Sequence, residues 1–558
     1  MTLPEGRRPL WGKRPAVHVE TLVLICAVWL MLAGNASFWQ AALAGRQVDQ
    51  LATWGLVAAI FVSLTAFYFA AAALISSRYT VRPLLAGLLM VTAAASWNMS
   101  QYGVYMDRAM LANVLATDFR EARELVGWGM AAYVLVYGAL PAALLWWPRL
   151  KTRPLGRTVL ARAAWIAGGL AVGVGSLLLV FADFASLMRN NTEMRYLVTP
   201  GNIVVSLSAN LWGRANRPNQ PRIAIGTDAK PAPRRERPLL FVLVVGETAR
   251  SRNFSLNGYP RDTNPELAKR GVISFPNAIA CGTSTEVSLP CMFSWWGRAR
   301  YDEEKIATHE SVLHLLARSG VEVLWRDNQS GCKGVCDGLP FHKLDRSRHP
   351  TLCKEQQCFD EILLTGMDKV LRDASGNLLV VLHQLGSHGP AYSKRYPAAF
   401  RRFTPTCESD ELRLCSTEQI VNAYDNSLLY TDYFLGKVID FLDQAQTTHD
   451  TAMLYVSDHG ESLGEGGLFL HGMPYAIAPD EQTRVPFVVW LSQAFRSGSR
   501  LDVQCLQAQA KQRPASHDHL FHSLLGVFGV QTTVYDRSLD LFAACRADAA
   551  SASTRGKS

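Results

Sequence analysis

The sequence predicts five membrane-spanning helices followed by an α/β domain built on a mostly parallel sheet. Three observations lead there. The chain has 558 residues, of which 49% are hydrophobic and only 18% charged, against about 25% charge in soluble domains. Its first 180 residues are crowded with long apolar runs. From Pro238 onward, short apolar segments alternate with helical stretches. This composition excludes intrinsic disorder, and the length excludes one small domain.

The apolar runs fall at 17–37, 51–75, 83–97, 125–147 and 158–181. Most are near the roughly 20 residues a helix needs to cross a bilayer. The third is the weakest and is expected to extend at one end. Five runs so poor in charge argue against a soluble bundle. The first is too long for a signal-peptide core and is followed by further runs, so it reads as an uncleaved anchor.

Cations in short loops set orientation. Arg7, Arg8, Lys13 and Arg14 precede the first run; Arg78 and Arg82 follow the second; Arg149, Lys151, Arg153, Arg157 and Arg162 follow the fourth. With five spans these segments share one side, so the N-terminus is cytoplasmic and everything beyond the fifth span is outside, in a bacterial periplasm. They hold eleven Lys/Arg against Glu5 and Glu20, which accounts for the whole formal charge of +9. A charge that invites a nucleic-acid partner is therefore a topology signal. The expected organisation is a membrane domain at 1–181, interfacial helices and a Pro/Arg-rich linker at 182–237, and the α/β domain at 238–558. The strands of that domain, such as LLFVLVVGE, NLLVVLHQLG and TAMLYVSDHG, are continuously apolar. Such strands are buried on both faces, between layers of helices.

Cys26 lies in the first span, and the other ten cysteines all follow the linker. An external compartment is oxidising, so disulfides are expected: 281–291, 332–336, 353–358 and 407–415, with the pairing of Cys505 and Cys545 left open. A lone C-x3-C at Cys332 and Cys336 argues weakly for zinc in such a compartment.

Open α/β sheets build their sites at strand ends. Glu247 ends one strand and Asp458-His459 another, while Thr283, Ser284 and Thr285 precede a helix start. A hydroxyl there faces free N–H groups and the positive end of the helix dipole, a fitting place for a phosphoryl group. Carboxylate and imidazole ligands suit zinc. His388 (GSHGP) and His471 (FLHGMPY) stand in glycine-flanked loops, available for a second metal or a phosphate. Singly, each has an ordinary reading as a helix cap or an exposed histidine. Asn113, Thr117 and Glu121 are spaced by four in a helical pattern, so their side chains are expected on one face. His383 fits a core strand as well as a site, and His517, His519 and His522 read as structural.

The order Glu, Thr, His, Asp-His, His, together with VVGETAR, NGYPRDTNP, CGTSTEVSLPCMFS, DNQSGCKGVCD, HQLGSHGPAYSKRYP, YVSDHGESLGE and LHGMPY, resembles the phosphoethanolamine transferases of the alkaline-phosphatase superfamily. Among these the similarity is to the lipid A-modifying enzymes of the colistin-resistance type, over nearly the whole chain. The resemblance implies a periplasmic domain with the alkaline phosphatase/sulfatase fold. It implies Glu247, Thr285, Asp458 and His459 as zinc ligands at one tight Zn2+ site, with a second as an open alternative, and Thr285 as the nucleophile that becomes phosphoethanolamine-modified. It puts His388 and His471 near the transferred phosphate or a second zinc, Ser330 and Lys333 near the headgroup, and Asn113, Thr117 and Glu121 around the ethanolamine. It implies a monomer in the bacterial inner membrane, phosphatidylethanolamine as donor and lipid A phosphates as acceptor. Transfer to Kdo or core heptose, or phosphoglycerol transfer, is the alternative. A sulfatase is disfavoured because Met292 stands where the Ser288-x-Pro290 pattern needs Arg, and a non-catalytic sensor because the ligand set is intact.

Overall fold

The computed structural model describes residues 14–117, 119–215, 221–231, 235–345, 347–354 and 357–546. Glu5, Arg7, Arg8 and Lys13, which contribute to the orientation argument, and stretches of the linker lie outside them. Backbone contacts divide the chain into one unit of Met1–Leu111 and Val126–Leu211 and another of Ala112–Leu125 and Trp212–Ser558.

In the first unit three apolar helices are long enough to cross a membrane: Leu51–Ile75, Val81–Tyr102 and Leu155–Leu179. The weakest predicted run does extend, to Tyr102, where Gly103 at φ 72° stops it. The first predicted span is two helices, Val19–Ala33 and Ala36–Leu43, bent by 57°. Asn35 sits at the bend; its Nδ2 donates to Leu30 O and Thr199 O, each at 2.9 Å, and Thr199 N donates back to its Oδ1 at 2.8 Å. The predicted run at 125–147 is the helix Trp128–Leu144, with a π turn at Leu135–Ala139. At 1.5 Å per residue it is about 26 Å long, short of a ~30 Å hydrocarbon core. Among the described residues, length and composition thus give three crossings, or four with the bent pair counted as one. Leu51–Ile75 and Leu155–Leu179 pack closely through small residues: Ser63 Oγ donates to Gly173 O at 2.6 Å, and a Cβ at Gly173 would stand 2.8 Å from that of Ala66. Such contacts replace the hydrophobic effect inside lipid.

The second unit is built on seven strands: β1 (Leu239–Gly246), β2 (Ile273–Ser274), β3 (Glu322–Asp327), β4 (Phe341–Lys343), β5 (Leu378–His383), β6 (Asp450–Ser457) and β7 (Phe487–Leu491), in the spatial order β2-β7-β6-β1-β5-β3-β4. From β6 to β4 the pairings are parallel; β7 alone runs against its neighbours. β1, β5 and β6 are buried throughout, as continuous apolar strands require. Leu239, Phe241, Leu243 and Val245 face one core, shared with the helices Val312–Arg318 and Asp518–Phe528. On the other face Thr417–Ala445 packs along β6, with Thr451 Oγ1 donating to Leu442 O at 3.0 Å. That helix starts at a capping box of Ser416 and Gln419.

Parallel pairing decides where the strand ends emerge. Gly246 of β1 is in register with Ser457 of β6, so the next residues, Glu247 and Asp458, leave the sheet side by side. His383 of β5 is in register with Asp327 of β3, which sends the following loops, 328–334 and 384–390, off the same edge. All five disulfides form in this unit, and Cys505 pairs with Cys545. Cys26 is a buried free thiol.

Candidate active site

Thr285 opens the helix Thr285–Met292 after Ser284 at the N-cap. Its Oγ1 donates to Glu247 Oε2 at 3.1 Å and lies 3.3 Å from His459 Nε2. The same Nε2 is 3.5 Å from Glu247 Oε1 and 3.4 Å from Asp458 Oδ2. His459 Nδ1 donates to Gly460 O at 2.9 Å, so the proton sits there and the lone pair of Nε2 points into the cluster. Asp458 Oδ1 accepts from Thr248 N at 3.3 Å and His459 N at 2.8 Å, whereas Oδ2 is buried and accepts no hydrogen bond from the described residues. A buried carboxylate oxygen in that position is costly unless a cation meets it. Ligand atoms of Glu247, Asp458 and His459 lie within 4.8 Å of one another. These donors fit a divalent cation. Burial is what keeps the His459 imidazole below the ordinary histidine value, partly opposed by Asp458.

Gly386 lets the 384–390 loop approach. It stands at φ 54°, and a Cβ there would meet Glu247 O at 2.6 Å; the next residue, Ser387, donates its N–H to that carbonyl at 3.1 Å. The loop brings His388, whose ring centroid is 5.7 Å from that of His471. His471 is also 4.3 Å from the His459 ring, held there because Gly472 N donates to Thr283 O at 2.7 Å and Thr283 Oγ1 to Met473 O at 2.7 Å. Burial, then Arg395, then the rings of His471 and His459 hold His388 well below the usual histidine range. Both shifts favour the neutral form of the His388 and His459 rings.

The 328–334 loop closes another side. Ser330 donates from both N and Oγ to Gln329 Oε1, and Lys333 adopts φ 47°. The Cys332–Cys336 disulfide braces the loop. Lys333 Nζ lies 3.6 Å from Glu286 Oε2.

The stretch expected to carry three polar groups on one helix face is two helices, Arg108–Ala116 and Phe119–Leu125. Thr117, just past the first, turns its hydroxyl onto Asn113 O at 2.8 Å. The side chain of Glu121 lies outside the described residues. The tie from this segment to the site runs through Glu124, which pairs with Arg395; Arg395 Nε in turn donates to His388 O at 2.6 Å.

Sequence reasoning missed four participants. Gln329 donates to Glu247 Oε2 at 3.0 Å. Glu461 accepts from His471 Nδ1 at 2.8 Å and Tyr392 OH at 2.6 Å, and forms a second possible ligand group with His459 and His471. Arg395 and Glu286 are the others. Three of them had a positional signal: Glu461, two residues after His459, Glu286, beside Thr285, and Gln329, beside Ser330. His383 is core: it is fully buried and bonds Asp327 Oδ1 at 2.8 Å through Nδ1. His517 is structural, with Nδ1 accepting from Cys281 N at 3.0 Å and Nε2 donating to Ser457 O at 2.9 Å.

The family model for sulfatases matches residues 240–530, and that described as phosphoethanolamine transferase EptA/EptB matches residues 64–212. The chain is 40% identical over 543 residues to phosphoethanolamine transferase EptA of Escherichia coli K12, covering 96% of this chain and 98% of that one. It is 37% identical over 536 residues to phosphatidylethanolamine transferase Mcr-1 of Escherichia coli, covering 93% and 96%. Its fold is similar to the integral membrane lipooligosaccharide phosphoethanolamine transferase A from Neisseria meningitidis, with a TM-score of 0.91 and 36% identity over 95% of this chain and 99% of that one.

Proposed function

The chain belongs to the phosphoethanolamine transferase family, and from that premise we propose that it transfers phosphoethanolamine from phosphatidylethanolamine to the phosphate groups of lipid A. The observation that carries this reading is the Thr285 hydroxyl at a helix start, 3.1 Å from Glu247 and 3.3 Å from His459.

In the first step Thr285 Oγ1 attacks the phosphorus of the donor. The bond to the glycerol oxygen breaks, and diacylglycerol leaves as the alcohol. In the second step an oxygen of the acceptor phosphate attacks the same phosphorus, and Thr285 leaves as the alcohol with the proton that the acceptor phosphate gives up. Glu247, Asp458 and His459, with Thr285, would hold one zinc ion. Zinc supplies a Lewis acid that lowers the pKa of the hydroxyl and offsets charge on the phosphoryl oxygens. Glu247 Oε2 accepts the hydroxyl hydrogen, which leaves the oxygen lone pairs for phosphorus. His388, His471 and Lys333 meet the non-bridging oxygens, where phosphoryl transfer needs positive and N–H groups most. Ser330, Asn113 and Thr117 take the headgroup, and Glu121 pairs with its ammonium.

We further propose a monomer crossing the bacterial inner membrane five times, with the bent pair and Trp128–Leu144 each one crossing and the catalytic unit in the periplasm. The membrane keeps enzyme and both lipids at one interface. The added ammonium would lower the negative charge of the outer surface and weaken attraction of cationic peptides such as polymyxin.

The test is mass spectrometry of lipid A from cells expressing the chain. Wild type should place phosphoethanolamine on the lipid A phosphates, and a folded Thr285→Ala protein none. Modification of Kdo or heptose, or phosphoglycerol in place of phosphoethanolamine, would move the assignment to the corresponding alternative. Continued modification by Thr285→Ala would overturn the nucleophile. For the metal, Asp458→Asn should lose bound zinc on dialysis and melt at a lower temperature than wild type; undiminished zinc content would refute the ligand set.

A further inference from the structure

One end of the membrane unit holds a cavity of about 690 Å³ where Val19–Ala33 begins, Leu51–Ile75 ends and Leu155–Leu179 begins. Arg78, Lys151, Arg153 and Arg162 line it, together with a single carboxylate, Glu20. Glu20 is 3% exposed. Its Oε2 meets Arg153 Nη1 at 3.3 Å and its Oε1 meets Arg162 Nε at 3.7 Å. Among the described residues neither Arg78 nor Lys151 has an ion-pair partner. Four Lys/Arg cations against one carboxylate leave these five side chains at a net +3. Cations needed only to set topology would serve anywhere in the loops; here they converge on one space.

A second cavity, about 580 Å³, lies between the same three helices and is apolar, lined by Leu24, Phe61, Phe69, Trp165 and Gly168 among others. Leu24 is one turn past Glu20, Trp165 one turn past Arg162, and Phe69 lies about a turn and a half before Leu74, which lines the basic cavity. The two therefore succeed each other along the helices, about 5–8 Å apart in depth. A Cβ at Gly168 would meet nothing within 4 Å, so the groove is open there.

Positive charge at the interfacial end and a hydrocarbon-lined groove one turn deeper match the two ends of a lipid. Basic pockets between membrane helices are suited to anionic headgroups. We propose that this pair of cavities binds an anionic phospholipid, its phosphate among Arg78, Lys151, Arg153 and Arg162 and an acyl chain along Phe69 and Trp165. On the orientation proposed above it lies in the cytoplasmic leaflet, so its occupant is a resident lipid distinct from the periplasmic donor.

The test is native mass spectrometry of the purified full chain in detergent, titrated with phosphatidylglycerol, with phosphatidylethanolamine of the same acyl chains, and with inorganic phosphate. Wild type should retain phosphatidylglycerol about tenfold more tightly than phosphatidylethanolamine and should not retain inorganic phosphate. The exposed pair Arg78→Gln with Lys151→Gln should bring the two lipids within about twofold of each other. Gly168→Leu, which fills the groove and leaves the cations in place, should weaken phosphatidylglycerol as well. Equal binding of both lipids by wild type, unchanged preference in the double variant, or displacement of the lipid by inorganic phosphate would each overturn the site.

Discussion

Glu286 follows Thr285 in the first turn of its helix, and its Oε2 lies 3.6 Å from Lys333 Nζ, with the lysine 9% and the glutamate 26% exposed. On the proposed function, the charge that an incoming phosphate needs at Lys333 is therefore already met by a carboxylate. Phosphate must displace Glu286 from Lys333, and the nearby negative charge opposes its entry. Glu286→Gln keeps the shape and removes the competitor. A partly exposed pair of this kind is worth about 1 kcal/mol, or roughly fivefold in an equilibrium. Inorganic phosphate should inhibit Glu286→Gln about fivefold more strongly than wild type; an inhibition constant that stays put or rises in the variant rules the competition out. That contact was not readable from the chain, because it joins a helix start to a loop far along the sequence. Glu461 was hidden for a different reason. A carboxylate after Asp-His-Gly resembles an ordinary cap, and its role becomes visible only once His471 folds back onto it. By contrast Glu247, Asp458 and His459 were legible, since strand ends of a parallel sheet converge wherever the strands pair in register.

Disulfides show how the same bond type does different work in different elements. Cys505–Cys545 spans 40 residues and joins the helix Val503–Gln512 to the last turn, Ala543–Cys545. Cys332–Cys336 spans only 4. Loop-closure entropy gives the long bridge about 4 kcal/mol and the short one about 2. The short one, however, braces the loop whose Gln329 holds Glu247 and whose Lys333 meets Glu286. Replacing Cys505 and Cys545 by serine should lower the melting temperature more than replacing Cys332 and Cys336, while the latter change should slow transfer more. Both orders are checked by melting and turnover of the two double variants, and the same ranking in both measurements would refute the division. Helices were less legible than strands. The first span bends because Gly34 and Asn35 accommodate a turn that only Thr199, distant in sequence, completes. The helix expected through 113–121 ends at Ala116, just before Thr117 turns its hydroxyl back onto the backbone of Asn113.

Hydropathy, charge and cysteine spacing are properties of the chain read in one dimension, and they carried the division into membrane and α/β parts. Burial of titratable groups is not such a property, and it sets how the folded protein answers pH. His517 and His522 are each 1% exposed, and burial pushes both imidazoles down to about 4. Their unfolded values lie near 6.5. Below that pH the unfolded chain binds protons that the folded one refuses, so stability is complete above about pH 7 and is lost progressively as pH falls toward about 4. Between pH 7.5 and 5.5 each histidine should cost about 1 kcal/mol, and the two together lower the melting temperature by about 2–4 °C. His522 Nδ1 accepts from Asp536 N at 3.0 Å, and asparagine can replace that acceptor. His522→Asn should therefore recover about 2 °C of the acid loss, even if its melting point at pH 7.5 is lower. Thermal melts of the detergent-solubilised chain across this range decide it: a variant whose melting temperature falls as steeply as that of wild type would show that His522 is not a source of the acid sensitivity.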